Sequence, residues 1–441
     1  MDLSSYISRF LGVKDISIEN IDFFESEFKV VIHGKHTLAE NICCKCENKL
    51  TGIHSWQSRI LRAAPLGIYQ TVLIKLKYPR GFCEACSSVR TCRINWINKR
   101  CPSMSCGYSE IAGRWMEETT CEATGRILKH NSRTLWRLDQ WRMRQMLFEL
   151  KIPEDIDCTY LSADEVHSRN VKLNRKNLWS KKTEQVYITN LVSFKDSKVL
   201  WNAQGRNKAS LDECLAKLTS AQKDKCEYFC TDIHKPFIAS VKENLPAAKI
   251  AIDRFHLAQL LTDAMDALRK SEFKKQEKGS IMRPMLHPTR RFILVSKPKD
   301  RSEAESKWLE KLRQLNENIH TGLLLVEYFY IALSCTEVIE FRKNLLSWYQ
   351  LVRQSKIKQF NKIAATIRRY RKYIENYIVS RLTTAVSEGI NNKIKVLKRV
   401  GYSYPNTKSF QLKILQRCGY LNHYDMNTDH LFYSWYDVQT T

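Results

Sequence analysis

Residues 228–256 read YFCTDIHKPFIASVKENLPAAKIAIDRFH, and the order of textures within them decides the fold. Tyr228-Phe229-Cys230 is a short run of strand formers, and Asp232 follows it after Thr231. Residues 236–245 read as a helix. Lys249-Ile250-Ala251-Ile252 reads as a second strand ending at Asp253-Arg254-Phe255-His256, and a long helix continues through Leu268. Upstream, residues 160–163, 186–194 and 198–203 are further short apolar runs between polar turns, so a three-strand meander precedes the fourth strand. This order predicts a mixed α/β sheet whose carboxylates collect at strand ends.

Asp164 follows the first of those runs as Asp232 follows the fourth. A third acid, Glu388, opens Ser387-Glu388-Gly389-Ile390-Asn391-Asn392-Lys393-Ile394-Lys395, with asparagines and lysines at helical spacing behind it. Three such acids can share one site. Two divalent ions gripped by carboxylates activate water at a phosphodiester and stabilise the departing oxygen, the geometry of many polynucleotide-cutting enzymes.

Charge points the same way. The 441 residues hold 72 lysines and arginines against 46 aspartates and glutamates, a net +26 with a pI near 9.5, so a polyanion is the natural partner. A hydrophobic content of 43% excludes general disorder and allows two or three domains. There is no apolar run of about 18 residues, and Met1-Asp2-Leu3-Ser4-Ser5-Tyr6 lacks the features of a signal peptide, so a soluble intracellular protein is expected. In that compartment, 15 cysteines are read as metal chemistry rather than disulfides.

Cys43 and Cys46 form one CxxC pair, and Cys83 and Cys86 form another behind the strand-like residues 71–77, which predicts a small zinc ribbon with a long intervening loop. Cys44 is an alternative ligand, and Cys92, Cys101 and Cys106 are candidates for a further site. From residue 109 to 150 the pattern is helical, with Ser132 placed to cap a last helix that buries Leu135, Leu138, Trp141 and Leu147. Arg133, Arg137, Arg142 and Arg144 then face phosphates or base edges in a helix-turn-helix, or simply form the solvated face of a helical linker. Residues 270–380 carry a basic patch, a hairpin-like region at 284–298 and long amphipathic helices, read as a helical insertion. Its basic run at 368–373 either binds phosphates or is solvated.

At these residues the chain resembles transposases of the ISL-three insertion-sequence family, DDE transposases with an RNase H-like catalytic domain. Four features carry the resemblance: the paired CxxC motifs with Arg80-Gly81-Phe82 before the second, Asp164-Glu165, the block from Thr231-Asp232 to Asp253-Arg254-Phe255-His256, and the Glu388 helix continuing into Lys398-Arg399-Val400-Gly401-Tyr402. The first CxxC lacks the proline and glycine common around it in the family.

The resemblance implies an α/β fold: an RNase H-like mixed sheet with a helical insertion, preceded by a zinc-ribbon-like module and a helix-turn-helix. It divides the chain into a zinc-binding module (1–100), a helix-turn-helix region (101–155), the first part of the catalytic core (156–269), the insertion (270–379), a core segment carrying the third acid (380–425) and a tail (426–441). Asp164, Asp232 and Glu388 match the catalytic acids and would hold Mg²⁺, with Mn²⁺ able to substitute. Cys43, Cys46, Cys83 and Cys86 would hold structural Zn²⁺.

Asp253 and His256 would act as a brace, an accessory contact or direct ligands; Glu165, next to Asp164 in a strand, points to the other face. Lys395, Lys398 and Arg399 join Arg133, Arg137 and Arg142 as DNA contacts. The expected partners are double-stranded DNA, as transposon ends and target, and a second copy in a homodimer, with no membrane, in a bacterial cytoplasm at the nucleoid. Two rival readings are a DNA-binding regulator descended from a transposase, which no longer cuts, and a host nuclease or resolvase that cuts without strand transfer.

Overall fold

The structure, a computed structural model, describes residues 3–37, 41–172, 183–290, 294, 301–383, 385–401, 404 and 406–422. The chain forms two compact units, Met1–Lys151 with Val396–Thr441, and Ile152–Lys395. The expected tail at 426–441 lies outside the described residues.

The first unit opens with α1 (Leu3–Leu11) and a sheet of β1 (Ile16–Phe24), β2 (Lys29–His36), β3 (Thr51–Ala63), β4 (Thr71–Cys83) and β5 (Ser88–Thr91). The order is β1-β2-β4-β3, with β5 also paired to β4. Alternation in β2 and β4 sends Val30, Ile32, Val72, Ile74 and Leu76 into one core with Leu11, Leu61 and Trp96. The long loop expected between the cysteine pairs is largely the thirteen-residue strand β3. From Thr51 to Ile60 that strand is exposed or half-buried on both faces, so it lacks the apolar alternation that marks a strand in sequence. The glycine of Arg80-Gly81-Phe82 has a steric reason: a Cβ there would stand 2.5 Å from the Gly52 carbonyl oxygen, beside the irregularity in the β3–β4 register.

Helices α2 (Cys106–Glu118), α3 (Cys121–Ile127) and α4 (Ser132–Glu149) follow. They pack Tyr108, Ala112, Met116, Leu128, Leu135 and Leu138 into a second core. Asn131, rather than Ser132, caps α4, its side chain accepting from the amides of Arg133 and Thr134.

The second unit holds β6 (Tyr160–Lys172), β7 (Thr183–Ser193), β8 (Lys198–Gln204), α5 (Lys208–Leu215), α6 (Ser220–Asp224), β9 (Tyr228–Thr231), α7 (Lys235–Asn244), β10 (Lys249–Ile252) and α8 (Arg254–Lys275). The sheet order is β10-β9-β6-β7-β8; β6, β7 and β8 are antiparallel neighbours, and β9 and β10 run parallel to β6. Asp164 therefore stands inside a strand that continues eight residues past it, not at a strand end.

The short helix α9 (Met282–Met285) and a 3-10 turn at Pro288–Arg290 occupy the region expected to be hairpin-like, whose remainder, apart from residue 294, lies outside the described residues. Four long helices form the expected helical insertion: α10 (Glu303–Leu315), α11 (Glu317–Ser334), α12 (Val338–Ser355) and α13 (Lys358–Ser380). Trp348 is fully buried among them and donates to the Leu325 carbonyl at 2.8 Å, and Arg342 forks onto Glu375 at 2.8 and 2.9 Å.

Helix α14 (Ala385–Val400) carries Glu388. The last described helix, α15 (Thr407–Cys418), packs with α2 and α4 of the first unit: Lys413 is buried and donates to the Met116 carbonyl and to Asp139. The segment expected as 380–425 is thus divided between the two units. No helix among the described residues is long and apolar enough to cross a membrane.

Candidate carboxylate site and thiolate cluster

Strand register alone aligns the upstream acids. The last β6–β9 pair is Ser162 with Cys230; two residues further on, Asp164 comes level with Asp232. The last β9–β10 pair is Thr231 with Ile252; one residue further on, Asp232 comes level with Asp253. On the other side, Asp164 pairs with Asn190 of β7, and Asn190 with Asn202 of β8. One rung of the sheet therefore reads Asn202, Asn190, Asp164, Asp232, Asp253, and residues level across neighbouring strands share a face at about 5 Å spacing.

The electrostatics follow from this crowding. Burial and the field of Asp232 push the Asp164 carboxyl up to about 6, against the Glu165 amide, His256 and Asn391, which favour its charged form. His256, in the first turn of α8, pairs its Nε2 with Asp232. Burial opposes charging of that imidazole, but the contact with Asp232 and the fields of Asp253 and Asp164 prevail and raise its pKa. Asp253 is buried at the start of α8. Glu165 pairs with Thr189, which hydrogen-bonds Ser210 of α5, so it sits on the opposite face as alternation demands. Burial and the fields of Asp164 and Asp232 nevertheless raise Glu165 to about 7.

Helix α14 meets β6 through two contacts. Ser387 Oγ lies 2.5 Å from Ser162 Oγ, and Asn391 Nδ2 donates to Asp164 Oδ2 at 2.5 Å. Asn391, one turn from Glu388, is thereby engaged with the first acid. At 100° per residue, Glu388 lies about 60° round the helix from Asn391 and about 20° from Lys395. Glu388 is exposed and flanks the contacting face, and it does not close with Asp164 and Asp232 into a set whose ligand atoms all lie within 4.8 Å of one another. Among the described residues, the four cysteines are the one set of three or more ligating groups whose atoms all lie within 4.8 Å of one another.

Those cysteines are Cys43, Cys46, Cys83 and Cys86. Cys46 Sγ is 3.3 Å from Cys83 Sγ, and Cys43 Sγ is 4.0 Å from Cys86 Sγ. Thiolates around one tetrahedral zinc, with bonds of about 2.3 Å, stand about 3.8 Å apart, so the set is compatible with structural zinc. Each pair is followed by a left-handed residue, Glu47 at φ 65° and Ser87 at φ 47°, which closes its turn without the family's glycine. Burial works against the Cys43 thiolate, but the amides of Cys46 and Lys45 outweigh it and hold the thiol at about 7. Cys44 is exposed and accepts from Thr91, Cys92 faces His36 at 3.4 Å, and no second cluster of Cys92, Cys101 and Cys106 closes among the described residues.

Of the basic residues singled out, Arg133, Arg137, Lys395 and Arg399 are exposed and Lys398 is half-buried. Arg142 departs from expectation. It is buried between α2 and α4 with Glu117 at 2.6 Å and Glu110 at 3.2 Å, so its charge is spent inside the unit and is withheld from phosphate. The residues that sequence reasoning missed are Ser162, Asn190 and Asn202. A lone asparagine inside the apolar run 186–194 was their one visible signal.

A mixed sheet with level acids and a separate thiolate cluster acquires its class by comparison: residues 178–414, more than half of the chain, match the ISL3-type DDE family model described as transposase. The chain belongs to the ISL3 family of transposases, the family its motifs resemble. A transposase for insertion sequence element IS1001 of Bordetella parapertussis is 24% identical over 406 residues, 91% of this chain and 95% of that protein. The transposase for IS1557 of Mycobacterium tuberculosis is 24% identical over 245 residues, 51% of this chain and 55% of its own length. Among solved structures, the Drosophila P element transposase strand transfer complex covers 71% of this chain and 92% of its own at 13% identity and a TM-score of 0.35, too loose a likeness to weigh. Membership carries the family's general activity, cutting and joining DNA, and its use of divalent metal.

Proposed function

We propose that this chain binds the terminal inverted repeats of an insertion sequence and catalyses strand cleavage and strand transfer at Asp164, Asp232 and Glu388. The observation that carries the reading is the rung on which Asp164, Asp232 and Asp253 stand level, tied by Asn391 to the helix of Glu388. The order β8-β7-β6-β9-β10, with three antiparallel strands followed by two parallel to the first, supports an RNase H-like core.

The donor set fits a hard divalent cation: all oxygen, with burial and then the field of Asp232 lifting Asp164 to about 6. Mg²⁺, or Mn²⁺ in its place, would be held by Asp164, Asp232 and Glu388. When bound, such ions activate a water or hydroxyl and stabilise the departing oxygen. The protein's own part is orientation. Asn391 fixes one oxygen of Asp164 and the Glu165 amide the other, while His256 holds Asp232 as a brace.

In the first step the oxygen of water attacks phosphorus and the 3′ oxygen leaves as a hydroxyl. In the second that hydroxyl attacks a target phosphodiester, exchanging one P–O bond for another. The helix-turn-helix made by α3 and α4 would approach DNA through Arg133 and Arg137, and α14 through Lys395, Lys398 and Arg399. The thiolate cluster would carry zinc, two copies would pair the two ends, and the protein would act at the nucleoid of a bacterial cytoplasm.

The test is cleavage and joining of labelled DNA bearing the element's own ends, with Mg²⁺ or Mn²⁺, in wild type and Glu388→Gln. Nicking and joined product that vanish in the variant while DNA binding persists are expected. Binding with no cutting by either protein would instead favour a DNA-binding regulator, and cutting without joining a nuclease or resolvase.

A further inference from the structure

Asn190 lies in mid-strand on β7, is 1% exposed, and has no hydrogen-bond partner for either Oδ1 or Nδ2 among the described residues. Leaving a buried amide unsatisfied is destabilising, and an apolar residue would avoid that cost in a run that is otherwise Val186-Tyr187-Ile188-Thr189 and Leu191-Val192. Its register partner is Asp164, and directly opposed residues of an antiparallel pair share a face with Cβ atoms about 5 Å apart. The unsatisfied amide therefore stands beside the carboxylate that heads the proposed metal site. Asp164 does not use it: its Oδ1 accepts from the Glu165 amide and its Oδ2 from Asn391.

A primary amide offers both a donor and an acceptor, which is what a water molecule needs from its surroundings. Magnesium is reluctant to lose its waters and is commonly held through one or two carboxylates with several waters retained. We propose that Asn190 is a positioning residue for the carboxylate site, its amide holding a water of the hydrated divalent cation bound at Asp164. The inference rests on the metal reading above and adds to it a residue from the strand on the far side of Asp164 from Asp232. Asn202, the next residue along the rung, is one strand too far to take part.

The experiment is Mn²⁺ binding by zinc-loaded full-length protein, followed through the electron paramagnetic resonance signal of free Mn²⁺, together with thermal melting without added divalent ion. Asn190→Leu and the less crowding Asn190→Ala are compared with wild type and Asp164→Asn. Both Asn190 variants should bind Mn²⁺ about ten- to a hundredfold more weakly, as losses of outer ligand partners do. Asn190→Leu should also melt no lower than wild type, because the unsatisfied amide is gone. If wild type binds Mn²⁺ and both variants bind it equally well, the role of Asn190 is overturned and the metal reading stands. If Asn190→Leu does not fold, Asn190→Ala decides by the same criterion. A wild type that binds no Mn²⁺, or binds as Asp164→Asn does, overturns the metal reading and this inference with it.

Discussion

In the first unit two buried cations, Arg142 and Lys413, are met by carboxylates; in the second, Asp164 is buried beside another acid. Arg142 meets Glu110 and Glu117, Lys413 meets Asp139, and the four thiols come from two matching turns of one sheet and already close to within 4.8 Å. Asp164 has Asp232 beside it and the unsatisfied amide of Asn190 opposite it, while Glu388 is exposed and does not close with the two aspartates to within 4.8 Å. The sheet register holds Asp164 and Asp232 level despite their like charge.

The hardest way to break this contrast is to open the thiolate cluster. Cys83→Ser should lose zinc by elemental analysis and abolish cooperative melting of the first unit, since structural zinc contributes roughly 10 kcal/mol or more to the folding of small zinc modules. Mn²⁺ binding at the carboxylates of the second unit should survive. A Cys83→Ser protein that keeps its zinc and its melting profile would show that the cluster is a set of small buried hydrophobes.

Next in size is the buried ion group. Arg142→Ala removes the guanidinium from Glu117, which is 1% exposed, and should cost about 3–5 kcal/mol in chemical denaturation. Arg137→Ala, five residues earlier on the same helix but exposed, should change stability by less than about 0.5 kcal/mol and instead lower the salt dependence of DNA binding by about one counterion. Equal stability losses in the two variants would erase the distinction between a structural and a DNA-facing arginine.

That pair also marks where sequence reading stopped. The strands β7, β8, β9 and β10 were legible because each carries a short run rich in apolar, strand-forming residues, most of them buried. The exposed strand β3 was not, because neither of its faces is buried over most of its length. Asp164, Asp232 and Glu388 were singled out by motif. The rung that aligns the first two with Asn190 and Asp253 depends on register between residues up to 68 apart in the chain (Ser162 with Cys230), which no local pattern encodes. Arg142 was assigned to the wrong partner for a related reason: helical spacing says which residues share a face, but not that Glu110 and Glu117 of another helix wait opposite it.

The smallest and most informative effect concerns Asp164. Its carboxyl titrates at about 6 in the folded chain against about 3.9 in an unfolded one, so between those values the native state binds more protons and stability falls as pH rises. The penalty is absent below about pH 4 and complete above about pH 6. Asp164→Asn should therefore melt higher than wild type at pH 7 without added divalent ion, by about 1–3 kcal/mol in stability, and the gain should vanish near pH 4. Glu165 works in the same direction, because Asp164 is one of the fields that raise it to about 7, and removing that charge relaxes it too. Mg²⁺ should raise the melting temperature of wild type and leave the variant unmoved, since a ligand stabilises the state that binds it. A gain independent of pH would mean that packing rather than charge sets the cost at Asp164, and the two units would then differ in chemistry but not in how completely they satisfy their own buried groups.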